Sequence, residues 1–150
     1  MLVHDFVDVD VAFDEVVSIL TDAGDEMGIW ASAAFRRGEK LTLGPGEAAS
    51  APISLEIGAP LVGTDVVTIP MSWIAASGSR LFPRMDAEVV IAPLGPSATH
   101  LEFRGSYRPP MEGFGEFLDR IAFHHVAEST VHGFMERVAS ALVVESRSTD

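Results

Sequence analysis

The chain has 150 residues, 22 acidic against 10 basic, for a net charge of -12. One domain with its own core is the expected product of that length, and 47% hydrophobic with 21% charged residues describes a globular chain rather than a disordered one. The balance excludes nucleic acid, which needs clustered cations to displace phosphate counterions, and disfavours an anionic membrane surface. Cysteine is absent, so disulfides, a thiolate zinc site and a cysteine nucleophile are excluded.

The first residues lack a basic start followed by an apolar run, so no signal peptide is expected. No apolar stretch is long enough to span a bilayer. The expected location is the cytoplasm, with no membrane insertion.

Residues 3–9 alternate, with Val3, Val7 and Val9 against His4, Phe6 and Asp8, and Asp5 out of pattern. That predicts a first strand. Asp10 is placed to cap a helix, with Asp14 and Glu15 in its first turn complementing the dipole. Phe13, Val16, Val17 and Leu20 fall on one helical face, and Gly24 ends the helix. Residues 25–35 predict a second short helix carrying Met27, Trp30 and Ala34.

From Arg36 the period changes to two, with Leu41 and Leu43 in a strand. A Pro- and Gly-rich loop over 44–52 follows. Strands then follow in series. Ile53, Leu55 and Ile57 alternate with polar residues, as do Val67, Ile69, Met71 and Trp73. Met85, Ala87, Val89 and Ile91 make the next, and Leu101, Phe103, Gly105 and Tyr107 the last. Pro70 suggests an edge or a bulge, because proline cannot donate to a ladder. Each strand has one apolar and one polar face, which is an antiparallel sheet covered on one side. If Val89 faces Phe103, then Glu88 lies opposite Arg104 on the wet side.

Pro109 and Pro110 break the last strand. Residues 111–144 read as one long amphipathic helix. Its stripe is Phe117, Ile121, His124, Glu128, Val131, Met135, Val138 and Leu142, at spacings of four and three, with Asp119, Arg120, Arg137 and Ser140 opposite. Residues 145–150 read as a frayed tail on a single domain spanning 1–150.

This order of strand, two helices, strand meander and long closing helix resembles the START/Bet v 1-like superfamily, also called the polyketide cyclase/dehydrase and lipid-transport family. The resemblance covers nearly the whole chain and rests on layout. Arg80-Leu81-Phe82-Pro83 and Gly105-Ser106-Tyr107-Arg108-Pro109-Pro110 also look like stretches of uncharacterised bacterial members. It implies an α+β helix-grip fold, in which a curved seven-stranded antiparallel sheet wraps the closing helix around an internal cavity. It fixes no reaction, because the fold hosts carriers, sensors and cyclases alike.

On that reading Met71, Trp73, Met85, Phe103 and Tyr107 face Phe117, Ile121 and Met135 across the cavity, while Trp30 and Phe82 close its entrance. Aromatic and methionine walls suit flat or flexible apolar ligands, although the same residues also fill solid cores. His124 and Glu128 sit one helical turn apart on the inward stripe. Such a pair can hold a ligand hydroxyl or move a proton, with Tyr107 as a third polar group. It can equally be a structural hydrogen-bonded pair. His125, Glu128 and His132 do not match a zinc-binding helix motif, so no metal and no cofactor is expected.

The leading function is binding of a small hydrophobic or amphipathic ligand: a lipid, a polyketide-like molecule or an aromatic one. One alternative is a cyclase, dehydratase or aromatase using His124 and Glu128 for proton transfer while Tyr107 orients the substrate. Another is a protein-interaction module with a filled core. A homodimer is the one self-association allowed for.

Overall fold

The computed structural model describes residues 1–43, 53–75, 84–108 and 117–149. Strand β1 (Leu2–Val9) leads into helices α1 (Phe13–Asp22) and α2 (Gly24–Leu43). Strands β2 (Ile53–Ile57), β3 (Leu61–Val62), β4 (Val67–Ala75), β5 (Met85–Pro93) and β6 (Thr99–Tyr107) follow. Helix α3 (Phe117–Thr149) closes the chain. The 6-stranded antiparallel sheet runs β1-β6-β5-β4-β2, with β3 also paired to β4. This is the α+β helix-grip architecture; six strands, not seven, lie among the described residues.

The period-two pattern set the register correctly. Val89 pairs with Phe103 and Glu88 with Arg104, and the Glu88 carboxylate stands 3.7 Å from the Arg104 guanidinium on the wet face. Between β6 and β5, Leu94 N–H donates to the Ala98 carbonyl at 2.9 Å. Gly95 supplies the φ of 77° that this turn needs.

Pro70 is explained by its neighbours. Ile57 pairs with Met71, but Leu61 pairs with Thr68, so residues 58–60 oppose only 69–70. The extra residue is a bulge in the partner strand, and Pro70 lies opposite it. Its carbonyl accepts from Gly58 N–H at 2.8 Å, and the N–H that proline lacks is not missed.

Three expectations are corrected. Asp10 does not cap α1: the N-cap is Ala12, without a side-chain bond. The helix starts at Phe13, two residues too late for the Asp10 carboxylate to reach its amides. A Thr99 hydroxyl bond to the Val11 carbonyl, 2.6 Å long, secures this turn against β6 instead. The second correction concerns the strand expected at Leu41 and Leu43. Instead, α2 runs on to Leu43, 20 residues in all. Two alternating leucines are too short a signal to outweigh the helix-favouring Arg36, Arg37, Glu39 and Lys40 before them. Third, the residues expected as a frayed tail continue α3 through Thr149.

The core lies between the concave sheet face and α3. From Val131 onward the expected stripe is buried, at Val131, Met135, Val138 and Leu142. Phe134, absent from that stripe, is 0% exposed. Nearer the N-terminus Ile121 is 41% exposed, and Val126, Ala127 and Thr130 are buried instead. Alternate spacings of four and three repeat every 3.5 residues, whereas a straight helix turns every 3.6. The two drift apart by about 20° per heptad, enough over the distance from Leu142 to Ile121 to carry the stripe off the core. On its other flank α3 crosses α2 at a point of close approach, where a Cβ on Gly133 would stand 3.3 Å from the Ala34 Cβ.

Candidate functional site

The concave face carries a row of side chains set by strand register. Trp73 pairs with Met85 and Met85 with Tyr107, so the three lie side by side on adjacent strands. All three are buried, as are Met71 and Phe103. Trp73 meets Phe103 edge-on with ring centroids 5.8 Å apart, and meets Phe134 of α3 at 5.0 Å. Phe103 and Phe134 complete the triangle at 6.2 Å. Such edge-to-face contacts are favoured by the ring quadrupoles. Sequence reasoning missed Phe134 because it lies one position beside the stripe at Met135.

A polar chain begins where this row ends. The Tyr107 hydroxyl stands 3.2 Å from His124 Nδ1, and the two rings are stacked at 25°. His124 Nε2 stands 3.1 Å from Glu128 Oε1 across one helical turn, and the His124 side chain is 29% exposed against 52% for Glu128. His125 Nδ1 approaches the other Glu128 oxygen at 3.8 Å. With Nε2–H donating to Glu128, Nδ1 is left to accept the phenolic proton. Burial, and secondly the Glu128 charge, push the Tyr107 phenol above its ordinary value. The Tyr107 hydroxyl also lies 3.4 Å from the Met1 sulfur.

The site residues named from the sequence therefore separate into groups. Tyr107, His124 and Glu128 come together. Met71, Trp73, Met85 and Phe103 share the concave face with Tyr107. Ile121 is on the same helix but exposed rather than buried in the core. Trp30 stands apart from the row: it is half-buried in a groove of about 880 Å³ between α2 and α3, beside Ala34, His132, Gly133 and Arg137. Phe82 and the Phe117 side chain lie outside the described residues.

Asp5, the residue out of pattern in the first strand, has a partner on α3. One carboxylate oxygen stands 3.0 Å from His132 Nδ1, and the other accepts Phe6 N–H at 2.9 Å. A lone acid among inward-facing valines was the signal that could have revealed this link. His132 also approaches Glu136 at 3.2 Å. Among the described residues no group of three His, Asp or Glu stands close enough to hold a metal ion. Nor is any described helix long and apolar enough to cross a membrane.

No family model matches the chain, and no curated protein matches it. Solved structures do. The aromatase/cyclase Zhui of Streptomyces sp. R1128 superposes with a TM-score of 0.52 at 13% identity, over 100% of this chain and 96% of that one. Ara h 8.0201 gives 0.55 at 9% identity, over 96% and 98% of the two chains. A norcoclaurine synthase of Thalictrum flavum gives 0.50 at 12% identity, over 97% and 96%. At such identities the likeness is one of fold, and the fold is the START/Bet v 1-like one.

Proposed function

We propose that the chain binds a small hydrophobic or amphipathic molecule between the concave sheet face and α3, with the ligand's polar group at Tyr107 and His124. One observation carries this reading: the burial gradient along Tyr107, His124 and Glu128. Tyr107 as a residue is 4% exposed, and the histidine and glutamate side chains are 29% and 52% exposed. A polar chain leading out of an aromatic core is what an amphipathic ligand needs, because its apolar body and its polar head then have different surroundings. The solved structures of like fold include proteins whose names state an aromatase/cyclase and a norcoclaurine synthase, which supports ligand or substrate binding as the use of the fold.

Native mass spectrometry of freshly purified protein, compared with its denatured mass, tests this. A non-covalent apolar adduct, or enhanced fluorescence of an added apolar dye, is the expected outcome. Bare protein that also leaves the dye unchanged would sink the reading and favour an interaction module with a filled core.

The geometry of the polar chain favours one second reading, proton transfer on a bound polyketide-like or aromatic substrate. Glu128 would orient His124, and His124 would take or return a proton through Tyr107 or directly. In that case His124→Ala and Glu128→Gln should abolish turnover while binding persists. Unchanged turnover in both variants would leave only the binding role.

A further inference from the structure

The groove between α2 and α3 lies outside the Tyr107–His124–Glu128 site. It takes in α2 from Glu26 to Arg37 and α3 from Ser129 to Glu145, and Ala34 meets Gly133 where the helices cross. Were the helices parallel, Glu145 would fall level with a residue beyond Leu43, where α2 ends. They therefore run antiparallel, which sets Trp30 level with Arg137, Glu26 with Ala141 and Arg37 with Thr130. The face has an apolar middle that water covers. Trp30 is half-buried and Val144 is 61% exposed, while Ala34, Gly133 and Ala141 are too small to fill the space between them. It also carries unpaired charge of both signs. Arg84 and Arg104 form ion pairs elsewhere; among the described residues Arg37, Arg137, Glu26 and Glu145 form none, although all four line this one groove. Arg37 stands at one end and Glu26 with Glu145 at the other. A surface with that order is complementary to itself turned end for end.

We infer that this face is the interface of a homodimer, with α2 against the partner's α2 and α3 against the partner's α3, antiparallel about a two-fold axis beside Trp30. A two-fold contact requires a self-complementary patch. Here Arg37 lies opposite the partner's Glu26, with the partner's Glu145 at the same end, and symmetry makes the contact twice. Trp30 near the axis meets the partner's Trp30, and Arg137, level with it, can lie over the rings as a cation–π contact. The small residues leave room for the partner's side chains to enter the crease. From Ser129 to Glu145 the face is about 24 Å long, and two packed helices are about 20 Å across. Two copies would then bury roughly 1,000 Å², the low end for a specific interface, so the dimer should dissociate on dilution.

Sedimentation velocity of the full chain from low to several hundred micromolar tests this, in about 0.15 M salt to screen the repulsion between two chains of charge -12. A monomer–dimer equilibrium is expected. Trp30 emission should move to shorter wavelength as the dimer forms, over a constant background from Trp73, which is 0% exposed. Arg37→Glu and Glu26→Arg each replace an exposed side chain. Each should weaken the dimer at least about tenfold, because symmetry counts the like-charge contact twice. The double variant, with the charges exchanged, should return to within about threefold of the wild type. A monomer at every concentration would overturn the inference. So would a dimer that both single variants leave intact, or one that the exchange of charges does not restore.

Discussion

Tyr107 is the chain's single tyrosine, so the ultraviolet absorbance of the phenolate reads this one side chain. Its midpoint is expected above the ordinary value of 10.0, since burial first and the Glu128 charge second disfavour the anion. Glu128→Gln should lower the midpoint part of the way. A midpoint indifferent to Glu128 would mean that the carboxylate is not beside the phenol in solution. Phe134 makes a second test at this scale. It is fully buried and meets both Trp73 and Phe103, so Phe134→Ala should cost about 3–5 kcal/mol, measured by denaturant unfolding. The sequence showed Tyr107, His124 and Glu128 as candidates, because a polar residue on an apolar stripe stands out. It did not show Phe134, because an aromatic beside such a stripe looks like its border.

Elements were legible in proportion to the length of their pattern. The strands of the meander each carry four or more alternating residues, and their register followed from parity alone. Helix α2 was cut short because Leu41 and Leu43 alternate over only four positions. The Asp5–His132 link and the α2–α3 crossing were invisible, since each joins residues about a hundred or more positions apart. That crossing makes a prediction. A Cβ at Gly133 already stands 3.3 Å from the Ala34 Cβ, so Gly133→Leu should separate the helices and cost about 1–3 kcal/mol. Gly133→Ala should be close to neutral, because its better helix propensity offsets the tight contact. A thermal unfolding series of the two variants checks both. In the sheet, a Cβ at Gly105 would lie 2.8 Å from the Phe103 ring and 2.9 Å from the Met85 sulfur. Gly105→Ala should therefore destabilise the fold, which the same unfolding series checks.

Across the whole molecule, every one of the five histidines stands within 4 Å of a carboxylate. The pairs His4–Glu102 and His100–Asp8 tie β1 to β6, and His132–Asp5 ties β1 to α3. Glu102 is the acid most affected: bonds from Arg104 first and His4 second hold it at about 2, against an ordinary 4.5. A carboxylate held low binds its proton more weakly in the folded chain than in the unfolded one. Its contribution is therefore present above 4.5 and is lost as pH falls from there through about 2. The melting temperature of the wild type should exceed that of Glu102→Gln near neutrality, and the gap should close over that acid range. Because the pair is solvent-exposed, the gap should also shrink with added salt. The same strand carries a further consequence. Met1 and Tyr107 exchange backbone bonds, so in an antiparallel ladder the amides of Leu2, His4, Phe6 and Asp8 point away from β6. Among the described residues β1 is paired on one side only, and a strand paired on one side invites another chain to add itself, from which a fibre can grow. Asp5 occupies the Phe6 amide at the middle of that row, so the carboxylate that anchors α3 also acts as a stopper against runaway stacking.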